Sequence, residues 1–194
     1  MPKAKQFDEL EVLKKAEKVF NEKGYNGTSM DDLVQATGLS RSSIYDTFGD
    51  KHGLFLKTLE NYQASQDKAM QQQFTKTDSY KKKIRAVFDY MINDIVTDKT
   101  RKGCMMVNAN MELNCVDKEV AEMALTTMEE MEQQFAMWIK EGQSTGEISK
   151  KFPAKALAKN LYNNIMGLRV TGRNRPDYDT LREITKITLS LLDQ

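Results

Sequence analysis

Apolar positions recur at intervals of three and four along this chain, and no run alternates apolar and polar residues between turns as a strand would. Leu13, Ala16, Val19 and Phe20 give the buried face of a first helix over residues 8–23, ended by Gly24. Met30, Leu33, Val34 and Thr37 repeat the spacing in a short second helix, and Ile44 and Phe48 in a third. From Lys51, the stripe Leu54, Phe55, Thr58, Leu59 and Tyr62 predicts a fourth helix. It turns polar at residues 63–73, as a connecting helix exposed on most sides would, before a loop at residues 75–78.

The remaining pattern predicts further helices over residues 79–98, 104–114 and 117–141, a break at Gly142–Gly146, and two last helices. The first of those two opens at Pro153, which suits a first helical turn. The second follows a loop at Gly172–Asp177. The expected fold is therefore all-α, with about nine helices: a three-helix head over residues 1–60 and a helical bundle over residues 61–194. The last two helices are apolar over broader faces than one partner covers, which predicts a homodimer through a four-helix interface.

Capping chemistry sharpens the picture at residues 29–48. Thr28 and Ser29 can each cap a helix, with Asp31 and Asp32 three residues on and favourable to the helix dipole. Gly38 suits a left-handed C-terminal turn, Leu39 can bury between the helices, and Ser40 can cap the next one. Two short helices joined in this way form a helix-turn-helix, which lays its second helix in the major groove of DNA. With Ile44 and Phe48 turned inward, Arg41, Ser42, Ser43, Tyr45 and Thr47 face outward. Arginine pairs bidentately with guanine, serines reach phosphates or base edges, and a tyrosine hydroxyl or a lysine such as Lys51 beside a helix N-terminus suits a phosphate. The candidate DNA contacts are thus Thr28, Ser29, Ser40, Arg41, Ser42, Ser43, Tyr45, Thr47 and Lys51.

Charge adds little to that reading. The chain of 194 residues carries a formal +1, and residues 1–60 come out slightly acidic rather than basic. Local cations must serve instead: Lys3 and Lys5 on an N-terminal arm, then Arg41, Lys51, His52 and Lys57. Asp46 stands within the third helix, where it could accept from cytosine N4, repel wrong sites or simply be solvated. The cluster Lys81, Lys82, Lys83 and Arg85 opposes the dipole of its own helix and reads as a solvated face, with a secondary role near DNA as the alternative.

Gly24-Tyr25, Thr28-Ser29-Met30, Gly38-Leu39-Ser40, Tyr45-x-x-Phe48, and Lys51 followed by Leu54-Phe55 resemble the DNA-binding domain of TetR/AcrR-type transcriptional regulators, in one register over about residues 8–57. The family more often places a neutral or basic residue at Asp46. The resemblance implies a head linked by a fourth helix to an all-helical ligand domain, a homodimer, and release from DNA when a small molecule binds. A helix-turn-helix dimer reads half-sites about 34 Å apart or a multiple of that, so a near-palindromic operator in double-stranded DNA is expected. Repression is the family's commoner mode.

The second half offers candidates for the effector site. On a helix from Cys104, the residues Cys104, Val107, Asn108, Met111 and Cys115 share a face with Glu112 close by, and Gly103-Cys104-Met105 with Asn108 resembles a segment of some TetR-type ligand domains. Asn108 serves equally well as a core residue satisfying backbone groups. Methionine is plentiful here, and its flexible thioether can reshape a cavity or fill a core. The candidate effector contacts are Met91, Cys104, Asn108, Met111, Glu112, Met131, Phe135, Trp138 and Tyr162.

Other chemistries find less support. Cys104 and Cys115 on a continuous helix lie roughly 16 Å apart along its axis, against the about 7 Å between Cα atoms that a disulfide needs. Buried structural cysteines are the expected reading, with a bridge between subunits or a thiol-responsive regulator open as alternatives. One histidine, His52, supplies no zinc-type cluster, and no cofactor is implied. There is no Gly-rich phosphate loop or nucleophile elbow, so an enzyme is not expected, although Asn108 and Glu112 could do acid–base work in a pocket. A helical interaction module without DNA binding is a further alternative. With no apolar run near a membrane span and no signal pattern at MPKAKQFDEL, a cytoplasmic protein is expected.

Overall fold

The computed structural model describes residues 7–74 and 77–193, and helix is the regular secondary structure among them. The elements in chain order are α1 (Glu9–Lys23), α2 (Met30–Thr37), α3 (Arg41–Phe48), α4 (Lys51–Phe74), α5 (Tyr80–Thr97), α6 (Met105–Leu113), α7 (Lys118–Thr145), α8 (Ala154–Asn174) and α9 (Tyr178–Ser190). They form two compact units. The first joins the residues up to Gln66 with Cys104–Ala121, and the second joins Asp67–Gly103 with the residues from Glu122 on.

The first unit therefore departs from the expected division at residue 60. Its buried apolar residues include Phe20, Leu33, Ile44, Leu54 and Phe55 of the head and Met105, Met106, Ala109 and Leu113 of α6. Phe20 meets Phe55 edge-on at 4.9 Å between ring centroids. Polar bonds tie α6 in further. The Glu112 carboxylate accepts the backbone N–H of Tyr25 at 2.9 Å and of Asn26 at 2.8 Å, and the Asn108 amide donates to Asn21 Oδ1 at 2.8 Å. Two amides just past the end of α1 thus find their acceptor on a side chain 86 and 87 residues away.

In the second unit, Ile84, Val87 and Phe88 of α5 pack with Phe135 and Ile139 of α7, Leu161 and Ile165 of α8, and Leu181 of α9. Each such apolar side chain contributes about 1.5–3 kcal/mol by leaving water. The expected break at Gly142 is not there: α7 runs on to Thr145 and stops at Gly146. Gly142 serves close packing instead, since a Cβ there would lie 2.6 Å from Ile148 Cδ1. Gly172, read as the start of a loop, likewise sits inside α8, where a Cβ would meet Ile95 Cγ2 at 2.3 Å. Pro153 stands at the N-cap of α8, just before its first turn. The basic start of α5 is balanced by Glu147, whose carboxylate accepts from the Ser79 hydroxyl and from the N–H groups of Tyr80 (2.9 Å) and Lys81 (3.1 Å).

Candidate nucleic-acid interface

Local capping builds the α2–turn–α3 element. Ser29 Oγ accepts from Asp32 N at 3.1 Å while Asp32 Oδ2 accepts from Ser29 N at 2.9 Å, a complete capping box. Asp32 also binds Lys23 Nζ at 2.6 Å, and these hydrogen bonds, led by the one from Lys23, hold its carboxyl far below the usual range. Gly38 takes the left-handed conformation and closes α2 onto Val34 O at 3.0 Å. Ser40 then caps α3 by accepting from Ser43 N at 3.1 Å, and its hydroxyl lies 2.9 Å from those of both Ser42 and Ser43. Ile44 is fully buried and fixes the rotation of α3.

That rotation leaves Arg41, Ser42, Tyr45 and Asp46 exposed, with Ser43 and Thr47 half-buried beside them. Arg41 Nη2 donates to Asp31 Oδ1 at 2.8 Å, and this bond raises the pKa of the guanidinium above its already high value. Ser29 and Ser40 are exposed caps. Two of the expected contacts have other work. Thr28 is buried, its hydroxyl donating to Gly24 O at 2.6 Å. Lys51 turns back to Tyr25 O at 3.0 Å and Thr28 O at 2.9 Å, with its ammonium 4.2 Å from the centre of the Tyr25 ring. Lys3 and Lys5 lie outside the described residues, as do Thr75 and Lys76 of the expected loop.

His52 acquires partners that residue spacing does not foretell. Its Nε2 is 2.7 Å from Asp117 Oδ2, and its Nδ1 is 3.8 Å from Glu119 Oε2. Burial pushes the Asp117 carboxyl up, but hydrogen bonds from Val120 N–H and His52 outweigh this and hold it below the usual carboxylate range. The three side chains are a conceivable metal-ligand set. However, the two carboxylates approach opposite ring nitrogens, whose lone pairs diverge, and a metal ion takes one of them. The arrangement suits a His52–Asp117 hydrogen bond that ties α4 to the start of α7.

Comparison with known proteins agrees with this geometry. The family description "Bacterial regulatory proteins, tetR family" matches residues 12–58, and "Tetracyclin repressor-like, C-terminal domain" matches residues 81–186, more than half of the chain. The HTH-type transcriptional regulator YezE of Bacillus subtilis is 30% identical over 194 residues, covering 100% of both chains. The chain belongs to the TetR family. The HTH-type transcriptional repressor ComR of Escherichia coli is 29% identical, over 96% of this chain and 90% of its own. Among solved structures, a cysteine-substituted variant of the TetR family regulator CifR, complexed with 26-base-pair operator DNA, superposes with a TM-score of 0.84 at 22% identity, covering 96% of this chain and 98% of that one. A TetR regulator from Chloroflexus aurantiacus gives 0.86 at 21% identity, over 96% and 95%.

The expected effector residues of this TetR-family chain divide between the units. Cys104, Asn108, Met111 and Glu112 belong to the first unit, where Asn108 and Glu112 are committed to Asn21 and to the Tyr25–Asn26 backbone and Met111 is 80% exposed. Cys104 stands half-buried at the N-cap position of α6 without a side-chain capping bond, and Cys115 is exposed in the turn after it, so neither is the buried structural cysteine expected; both are free thiols. Met91, Phe135 and Trp138 belong to the core of the second unit, with Met131 packed against it and Tyr162 half-buried on α8. Phe135 and Trp138 lie 6.2 Å apart, and Phe74 stands edge-on to Trp138 at 4.7 Å. Arg169, which apolar periodicity could not single out, is buried in this core; its Nη1 donates to Asp94 Oδ2 and its Nη2 lies 2.9 Å from Met91 Sδ. An open groove of about 450 Å³ on the same unit is lined by other side chains, among them Lys82, Asp89, Tyr90 and Asn93.

Proposed function

We propose that this TetR-family regulator binds a near-palindromic operator as a homodimer, reads it with the exposed face of α3, and represses transcription until a small-molecule effector binds the C-terminal unit. The observation that carries the reading is the presentation of Arg41, Ser42 and Tyr45 on a helix whose opposite side is anchored by Ile44 and whose N-terminus is closed by Ser40. The base contacts are assigned to Arg41 and Ser42; Ser29, Ser40 and Ser43 at the helix starts, with Tyr45 and Thr47 further along α3, are assigned to phosphates. Dimerisation is assigned to α8 and α9, whose Val170 and Ile187 are 60% and 74% exposed in the single chain. Effector contact is assigned to the Met91, Met131, Phe135, Trp138 and Tyr162 group, with release following if the effector favours a conformation that does not hold DNA. This work is done in the cytoplasm and without catalysis; among the described residues no helix is long and apolar enough to cross a membrane.

Selection of bound duplexes from a random pool with the full chain tests the reading. It should recover inverted half-sites about 34 Å apart or a multiple of that. Recovery of no shared sequence, or of a single unrepeated half-site, would overturn it.

A further inference from the structure

Asp31 is 81% exposed at its side chain, on the first turn of α2, beside the surface that α3 presents. A carboxylate there would repel a phosphate backbone if its charge stood alone. It is bonded to Arg41 Nη2 at 2.8 Å, across the turn from one helix start to the next. Arg41 is the one Arg, Lys or His between Lys23 and Lys51, so a guanidinium contact from α3 depends on this side chain. The bond engages one of its five N–H groups. The Nε and Nη1 donors and the second hydrogen of Nη2 remain directed elsewhere, enough for a bidentate pair with guanine O6 and N7.

We infer that Asp31 is a positioning residue for base recognition: it holds the Arg41 guanidinium in the geometry that reads guanine. This deepens the proposed function and rests on α3 being the reading helix. The backbones of both partners are set by neighbouring caps, Ser29 for α2 and Ser40 for α3. Asp31 therefore ties a long, rotamer-rich side chain to a fixed point. Freedom that would otherwise be lost on contact with DNA is already restricted in the free protein, and the planar fork is turned to one edge. The arrangement also gives an acidic residue in an only slightly charged head a use. Asp31 adds no affinity of its own and instead sharpens discrimination.

The test uses the full chain and the duplex recovered by selection, together with its single-base variants and an unrelated duplex, at two salt concentrations. Arg41→Ala should abolish the preference for guanine at one position of each half-site. Asp31→Asn should lower that preference about five- to tenfold, part of what a bidentate pair supplies, while binding to the unrelated duplex stays equal or strengthens because a negative charge is gone. Asp31→Glu should restore part of the preference, and Asp31→Asn added to Arg41→Ala should have no further effect on it. A solvated bystander at Asp31 gives a uniform rise in affinity for all duplexes. A carboxylate that holds Arg41 away from DNA gives a sharper preference in Asp31→Asn. Either result, with Arg41→Ala still losing the guanine preference, overturns the inference and leaves the reading helix intact. If Arg41→Ala keeps every base preference, the inference falls, and α3 as the reading helix falls with it only if Ser42→Ala also keeps every preference.

Discussion

The ammonium of Lys51 closes the loop between α1 and α2 by bonding two carbonyls and covering one face of Tyr25. Such a group acts on the stability of the head before it acts on DNA. Lys51→Ala leaves Tyr25 O and Thr28 O without this donor, a loss of about 1–3 kcal/mol where the site is partly buried. We expect thermal denaturation of the variant to begin several degrees lower, while operator affinity at low temperature falls less than it does for Arg41→Ala. A large affinity loss with unchanged melting would instead return Lys51 to the phosphate contacts. Glu147 acts at the same scale in the second unit. Its burial favours the neutral acid, but the Ser79 hydroxyl, two backbone N–H groups and Lys81 outweigh this and hold its carboxyl below the usual value. A depressed folded-state pKa gives stability that is present at neutral pH and lost as pH falls through the folded value. Glu147→Gln should therefore lower stability at pH 7 and make it less dependent on pH as the medium is acidified below the ordinary glutamate range, as followed by urea melts at several pH values.

Helix starts were legible in the residues because their chemistry is local. Ser29 with Asp32, Gly38, and Ser40 with Ser43 all lie within a few positions of one another, and the bonds they make are short-range. Glycines inside helices misled for the same reason. A local reading treats Gly142 and Gly172 as stops, whereas each is needed where a side chain from a distant or following segment, Ile95 or Ile148, presses against the helix backbone. Gly172→Ala should therefore cost about 1–3 kcal/mol by overpacking, despite alanine's better helix propensity, and a shifted urea midpoint with unchanged slope would show it. The candidate site divides along the same line. The outward set on α3 followed from its period, but the Asp31–Arg41 bond, the engagement of Lys51 and the pairing of Glu112 with the Tyr25–Asn26 backbone depend on how separate helices meet. Spacing along the chain carries no record of that.

For the whole molecule, the proposed dimer makes a direct demand on α8 and α9. Val170 and Ile187 are exposed apolar residues on these helices, and a charge at either should be tolerated by a monomer but not by a closed apolar interface. Val170→Glu with Ile187→Glu should shift the mass in solution from about twice the chain to one, as light scattering would show, with loss of operator binding cooperativity. A variant that stays dimeric would place the interface elsewhere.

The first unit is assembled from two stretches of chain, one ending at Gln66 and the other spanning Cys104–Ala121. Its amides after α1, its Asn21 and its His52 are all satisfied from the second stretch. A reading head excised at residue 66 would be an incomplete object, lacking the buried Met105, Met106 and Leu113 that belong to the same unit. Grafting this specificity onto another regulator therefore calls for transplanting both stretches, because the portable piece is not contiguous in the gene.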